Sequence, residues 1–267
     1  MAMRRFIGRR GKPAHMYSDN GKNFVGANSD LKELGNMLKQ NSDSLSEILA
    51  NEDVNWHFIP PYSLHFGGLW EAAVRSTKFH LKRVAGNAHL TFEEMYTLLV
   101  QVESILNSRP LSPISASPID LTPLTPAHFL IGCPLTSLPD RELENVPTNR
   151  LVRYQRIQQT VQHFWSRWKK EYLSELHQRQ KNHRGPQFVN VGDLVLLRDE
   201  NLPPLRWRLG RVKELHPGAH GIARVITIQT ANGPTKRAAT QVCPLPDVSE
   251  GNRANERCGS AQGHYTE

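Results

Sequence analysis

The spacing of apolar and polar positions changes character several times along this 267-residue chain. Residues 14–60 predict a short strand, a polar helix and a second strand. Leu31, Leu34, Leu38, Leu45, Ile48 and Leu49 give the helical zone its apolar face, with a break near Asn41-Ser42. Val54-Asn55-Trp56-His57-Phe58-Ile59 alternates with period 2, and Pro60-Pro61 stops it, as expected of a strand. A helix is predicted from about Leu69 to Val84, ended by Gly86-Asn87. Thr91-Phe92-Glu93-Glu94 then fits a capping box, in which the Thr91 hydroxyl and the Glu94 carboxylate satisfy free amides. Phe92, Met95, Leu98, Leu99, Val102, Ile105 and Leu106 follow at 3–4 spacing and predict a core-facing stripe ended by Pro110. Residues 109–149 are rich in Pro, Ser and Thr and predict a connector rather than a core. A long helix follows, about Asn149 to Lys181. Ile157, Val161, Phe164, Trp165, Trp168, Tyr172 and Leu176 lie on one face, with Arg167, Lys169 and Lys170 near the other.

From Val189 the period becomes that of strands. Val191 to Leu197 reads as a turn feeding a strand, and Trp207 to Leu215 as a second strand. Ala223 to Gln229, a turn at Asn232-Gly233, and Lys236 to Leu245 complete an antiparallel set. Short, Gly-punctuated strands of this kind predict a compact SH3-like barrel. Asp247 to Glu267 is polar and reads as a disordered tail.

Charge sharpens this division. The net charge is +8, yet residues 1–149 are nearly neutral, with 14 Lys and Arg against 15 Asp and Glu. Residues 150–246 hold 17 against 6, so the basic character lies in the second half. An acidic partner is expected there, nucleic acid first. Three distant cysteines, Cys133, Cys243 and Cys258, argue against a disulfide framework or a Cys-rich zinc site. The absence of a long apolar run argues against a membrane partner, and the basic start, with Arg4-Arg5 and Arg9-Arg10, lacks the apolar core of a secretory signal. A nuclear or cytoplasmic, non-secreted protein is expected.

Two strings carry candidate chemistry. Ser18-Asp19-Asn20-Gly21-Lys22-Asn23-Phe24 places a carboxylate at the exit of the first strand. Gly67-Gly68-Leu69-Trp70-Glu71 places another at the start of a helix. Asp-Asn-Gly alone is usually a turn, and a Glu in a first helical turn usually complements the helix dipole. Carboxylates from separate elements are nevertheless what two-metal phosphodiester chemistry requires. His57, His65 and His80 lack metal-ligand spacing and read as structural or surface residues.

Taken together, Ser18 to Phe24, Trp56 to Glu71, Asn107-Ser108-Arg109-Pro110-Leu111 and Leu121 to Gly132 resemble, in order, the integrase core of BEL/Pao long-terminal-repeat retrotransposons. The resemblance implies an α/β fold: a partial ribonuclease H-like DDE core over 1–135, a connector and long helix over 136–185, the SH3-like region over 186–246, and the tail from 247. It implies that Asp19 and Glu71 are the second and third acidic ligands, catalytic and metal-binding, for Mg²⁺ or Mn²⁺ in a full-length parent. The wide gap between them is accounted for by the helical stretch around Leu31 to Ala50. No Asp precedes Asp19, so the first acidic ligand is not identifiable, and neither is a His-His-Cys-Cys zinc module. The chain is therefore expected to correspond to a C-terminal part of an integrase, inactive in strand transfer as it stands.

Arg75, Lys78 and Lys82 follow Glu71 at helical spacing, and basic groups there suit DNA phosphates. Phe164-Trp165-Ser166-Arg167-Trp168 and Val191-Gly192-Asp193-Leu194-Val195 also resemble the region after the core in that family. Lys169, Lys170, Arg206, Arg208, Arg211 and Lys213 are candidate phosphate contacts, and Trp165 and Trp168 read as core. Two other readings stay open: a non-catalytic DNA-binding module derived from an integrase, and a module that docks chromatin proteins or other copies of itself.

Overall fold

The computed structural model describes residues 2–40, 54–60, 68–86, 88–138, 140–185, 188–199, 202–218 and 221–246. The expected break at Asn41-Ser42, the apolar positions Leu45, Ile48 and Leu49, His65, and the tail from Asp247 lie outside them. The architecture is mixed α/β, and the chain forms two compact units, Met1–Ser76 and Thr77–Glu267. Residues 92–107 and the long helix share one core within the second unit. Among the described residues no helix is long and apolar enough to cross a membrane.

The first unit holds α1 (Ala2–Arg10), β1 (His15–Ser18), α2 (Lys22–Gln40) and β2 (Asn55–Phe58). The two strands pair in parallel, His15 opposite Asn55 through Ser18 opposite Phe58. Parallel strands need a long crossover, and the polar helix α2 lies within it. The strand expected at Val54–Ile59 is present. Trp56 and Phe58 stack with ring centroids 5.9 Å apart, and Trp56 Nε1 donates to the buried Ser18 hydroxyl at 2.8 Å. The unit boundary falls inside α3 (Gly68–Ala85), which appears where a helix was predicted.

The second unit continues through α4 (Phe92–Asn107), the two-residue strands β3 (Ser112–Pro113) and β4 (Pro123–Leu124), α5 (Pro126–Ile131) and the 32-residue α6 (Arg153–Arg184). The capping box at α4 is as predicted. Thr91 Oγ1 accepts the Glu94 amide, and Glu94 Oε2 accepts the Thr91 amide at 2.8 Å. The stripe on α4 is only half used: Leu98, Val102 and Ile105 are buried, whereas Phe92, Met95 and Leu99 are exposed, Phe92 at 72%. α6 packs on α4 chiefly at the face of Leu98, Val102 and Ile105, with Leu81 and Val84 of α3 partly buried against the same cluster.

The long helix serves two cores. Its first half packs Ile157, Val161, Phe164, Trp165 and Trp168 against α4. Its second half packs Leu173 and Leu176 against the sheet. Tyr172 and Trp207 lie between them, with Trp207 edge-on to Trp165 at 4.8 Å. Burial pushes the Tyr172 phenol up to about 12, so it stays neutral and donates to the Pro110 carbonyl.

Residues 109–149, expected to be a loose connector, are held to this frame by two buried glutamines of α6. Gln162 accepts the Leu143 amide at 2.8 Å and donates to the Arg141 carbonyl at 2.7 Å. Gln159 donates to the carbonyls of Leu143 and Val146, each at 2.7 Å. Side-chain amides thus replace the backbone pairing that an irregular segment lacks.

The sheet consists of β5 (Leu194–Leu197), β6 (Leu209–Pro217), β7 (Ala223–Thr230), β8 (Gly233–Ala238) and β9 (Val242–Pro244), all antiparallel, in the order β8-β7-β6-β5-β9. β5 is buried on both faces: Leu194 and Leu196 meet α6, and Val195 and Leu197 join Val212, Ile226, Ile228 and Val242. At Gly210 a Cβ would lie 2.4 Å from the Ile228 side chain, so only glycine lets β6 and β7 approach so closely. The strands expected to pack as a compact SH3-like barrel form a five-stranded antiparallel sheet that is not closed, with β8 and β9 at opposite edges. The interruptions between Gly233 and Leu245 are Pro234 in β8, a 3-10 turn at Ala239–Gln241 and Pro244 in β9, and proline supplies no ladder donor. Cys243 on β9 is buried; its thiol, pushed up by burial, donates to the Leu173 carbonyl of α6 at 3.2 Å.

Acid is expected to loosen the joint between α4 and α6. Arg153 of α6 hydrogen-bonds Glu94, Nη2 to Oε2 at 2.8 Å. That guanidinium first, and the Thr91 amide next, hold the Glu94 carboxyl down to about 2, against an ordinary 4.5. A depressed folded-state value contributes stability that is fully present above the ordinary value and is lost as pH falls from there toward the folded value. Melting temperatures of the native chain and Glu94→Gln should therefore converge as pH falls through that window. Parallel curves would show that Glu94 contributes nothing as a carboxylate.

Candidate functional site

The Asp19 carboxylate is placed by strand pairing and by a turn. The Ser18 carbonyl at the end of β1 accepts the Ile59 amide at 3.0 Å, and Asn20 Nδ2 donates to the Ile59 carbonyl at 2.7 Å. The exits of both parallel strands are thereby tied together. Asp19 Oδ1 accepts the Gly21 amide at 2.9 Å, turning the chain into α2. A Cβ at Gly21 would sit 2.8 Å from that oxygen, so a larger residue there would push the carboxylate aside. Asp-Asn-Gly therefore does form the turn that is the ordinary reading of that string, and one oxygen of Asp19 is engaged in it.

Glu71 is half-buried in the first turn of α3, where a negative charge complements the helix dipole. Both acids belong to the first unit, and both are of the hard-oxygen type that Mg²⁺ or Mn²⁺ prefers. Among the described residues, however, no group of three or more His, Cys, Asp or Glu side chains gathers into a metal-holding set. Two carboxylates do not by themselves make a metal centre, and the chain's own basic residues carry the functional reading instead.

Those basic residues divide sharply by exposure. Arg75, Lys78 and Lys82 are all exposed along α3, with Arg83 beside them stacked 3.7 Å over the Phe79 ring. Lys170, Arg206 and Lys213 are exposed in the second unit. Arg208 is half-buried and pairs with Asp199 at 2.8 Å. Lys169 and Arg211 correct the expectation that they face solvent. Lys169 is 3% exposed; its ammonium donates to the Asp199 carbonyl at 2.7 Å and lies 5.4 Å from the Trp165 ring centre. Arg211 is 7% exposed and donates to three backbone carbonyls, Gly192 at 2.9 Å, Ser115 at 3.0 Å and Asp120 at 2.9 Å. A guanidinium spent on three carbonyls is a structural clamp, not a phosphate hook.

The sheet offers cations that the sequence reading passed over. Arg224, Lys236 and Arg237 are exposed on β7 and β8, on the same side of the sheet order as Lys213 of β6. Ile226 and Ile228 turn inward and the edge strand β8 keeps its long side chains in water, but alternation does not mark Arg224, which shares the parity of those two isoleucines and stands at a register shift between β6 and β7. The first unit also brings together two histidines that sequence spacing kept apart, His15 and His57, with Nδ1 and Nε2 3.0 Å from each other.

Residues 152–245, from the start of α6 to the residue after β9, match the model of a family of unknown function, DUF5641. No curated protein matches the chain. The matched span holds the long helix and all five strands of the sheet, so these elements form one recurring unit, whereas Asp19 and Glu71 lie outside it.

Proposed function

We propose that this chain derives from a BEL/Pao-type integrase, with a partial ribonuclease H-like core followed by an SH3-like region, and that the chain itself binds DNA without sequence preference. In the full-length parent the activity would be metal-dependent phosphodiester transfer, with Asp19 and Glu71 as ligands. The order strand, helix, parallel strand, helix supports the core reading, with Asp19 at the exit of β1 and Glu71 in the first turn of α3. The strand order β8-β7-β6-β5-β9, with a 3-10 turn before β9, supports the SH3-like reading.

The observation that carries the binding function is the exposure of two basic sets, Arg75, Lys78 and Lys82 on α3, and Lys213, Arg224, Lys236 and Arg237 on β6 to β8. Long cations held in water on a helix face, at the register shifts between β6 and β7 and on the edge strand β8 suit phosphate contacts, and such contacts release counterions. Fluorescence anisotropy on a labelled duplex at several salt concentrations tests this. The slope of log K against log salt should lessen by about 0.9 for each phosphate contact removed. Charge reversal of Lys213, Arg224, Lys236 and Arg237 together should therefore flatten the slope by about 3.6. Asp19→Asn and Glu71→Gln should leave it unchanged. Binding that is indifferent to salt, or to the four reversals and to reversal of the α3 set, would overturn the proposal. The reading as a protein-docking module, for chromatin proteins or a second copy, draws on the exposed Phe92, Met95 and Leu99 of α4. A concentration-dependent mass in light scattering that Leu99→Lys abolishes would favour it.

A further inference from the structure

We propose that His15 and His57 form a binding site for a transition-metal ion of the Zn²⁺ class on the exposed face of the β1–β2 pair. The site is separate from the acidic pair, uses a different ligand chemistry, and does not depend on the DNA-binding reading.

The placement follows from the register. In parallel pairing His15 lies opposite Asn55 and Tyr17 opposite His57, so His15 and His57 stand on one diagonal. Side chains at alternate positions share a face, and this face is the outward one. His15, Tyr17, Asn55 and His57 are exposed, while Met16, Ser18, Trp56 and Phe58 are covered to differing degrees. Backbone pairing thus fixes the origin of both imidazoles at no cost to the fold. Tyr17 stacks on the His57 ring, with centroids 4.7 Å apart and planes 15° from parallel, and limits its rotation.

The distance suits a shared ion. His15 Nδ1 and His57 Nε2 are 3.0 Å apart. Two imidazole nitrogens on a tetrahedral Zn²⁺, each at about 2.05 Å, stand about 3.3 Å from one another. A spread of a few tenths of an ångström, within reach of two exposed rings, would admit the ion in place of the proton between them. Neutral imidazole suits Zn²⁺, Cu²⁺ and Ni²⁺ far better than Mg²⁺. With two protein ligands and an open outward side, the remaining positions fall to water.

The test uses the intact chain with Cys133→Ser as background, because that exposed thiol would compete for the ion. Calorimetric titration with Zn²⁺ should show a one-to-one event. His15→Ala and His57→Ala should each weaken it by at least about tenfold, the least expected for a lost ligand when second-shell losses alone reach that size. The double variant should be no worse than either single one, since one ligand alone no longer clamps the ion. In nuclear magnetic resonance the ring signals of His15 and His57 should shift together with the same midpoint. Asp19→Asn should leave the event unchanged. Zn²⁺ binding of equal affinity and stoichiometry in both alanine variants would overturn the proposal, as would an event abolished by Asp19→Asn. Both rings are exposed, so the substitutions leave the fold in place, and unchanged circular dichroism verifies that.

Discussion

Trp165→Ala is expected to destabilise the second unit by about 3–5 kcal/mol, the usual loss when a fully buried large aromatic is truncated. Trp165 is 1% exposed and packs with Ile157, Val161, Phe164 and Trp168 of its own helix against Leu98, Val102 and Ile105 of α4. Three separate effects add to the cavity. The edge-on contact with Trp207 disappears, so the segment leading into β6 loses one of its contacts, with those to Trp168 and Tyr172 remaining. The Leu202 carbonyl, which accepts Trp165 Nε1 at 2.8 Å, loses its donor. The Lys169 ammonium loses the aromatic ring beside it while remaining buried. A domain of ordinary stability has about 5–15 kcal/mol in all, so the variant should be marginal or unfolded at room temperature. Urea unfolding followed by far-ultraviolet circular dichroism measures the loss. Trp165→Phe separates the causes: it keeps most of the apolar contact but orphans the Leu202 carbonyl, for an expected cost of about 1–3 kcal/mol. A loss below about 1 kcal/mol for the alanine variant would mean that α6 does not organise the core in the way its burial suggests.

Much of this frame was legible because period reports which face is buried. The α6 stripe from Ile157 to Leu176, the capping box at Thr91 and the strands after Val191 all follow from local spacing and cap chemistry. What escaped has a common physical cause, for it depends on which partner a side chain meets across the fold. Lys169 was expected near the face opposite Trp165, yet it is four residues later and so shares that residue's face; a long aliphatic stem can then take its ammonium inward or outward. It turned inward because the Asp199 carbonyl was there to receive it. The burial of Gln159 and Gln162 has no local signal, because it depends on residues 141–146, which lie across them and need donors and acceptors. Met95 and Leu99 fit an apolar stripe by spacing, yet their exposure depends on how many helices come to α4, and that number is not written in α4. For the candidate site, the turn at Asp19 and the helix start at Glu71 were legible locally. The nearness of His15 to His57 was not, because parallel register between strands 40 residues apart in sequence has no local signal. The basic residues divide the same way: α3 exposes Arg75, Lys78 and Lys82 as spacing implied, whereas Arg211 is claimed by carbonyls from residues far away in sequence.

Arg211→Met is expected to cost about 3 kcal/mol, as three carbonyls in part-buried hydrogen bonds lose a donor at about 1–3 kcal/mol each, partly offset by relaxation and by water reaching the exposed Gly192. The guanidinium joins two parts of the second unit. It holds Gly192 at the turn before β5, and with its other nitrogen it holds Ser115 and Asp120 of the segment between β3 and β4. Its charge also helps keep the Asp120 carboxyl below its ordinary range, after the larger effect of the Thr122 amide. Arg211→Lys keeps the charge but cannot span three acceptors from one planar group, so it should recover only part of the loss. The substitution also separates two roles that a binding screen alone would confuse. If Arg211 is a clamp, Arg211→Met lowers the urea midpoint while the DNA affinity per folded molecule and its salt slope stay as in the native chain. If it contacts phosphate, stability changes little and the slope falls by about 0.9. Lys213 stands two residues later, exposed on the same strand, and Lys213→Glu should give the opposite result: unchanged stability and weaker, less salt-dependent binding. The pair of variants asks whether β6 divides its cations between holding the fold and holding DNA. Equal effects of both on the urea midpoint would refute that division.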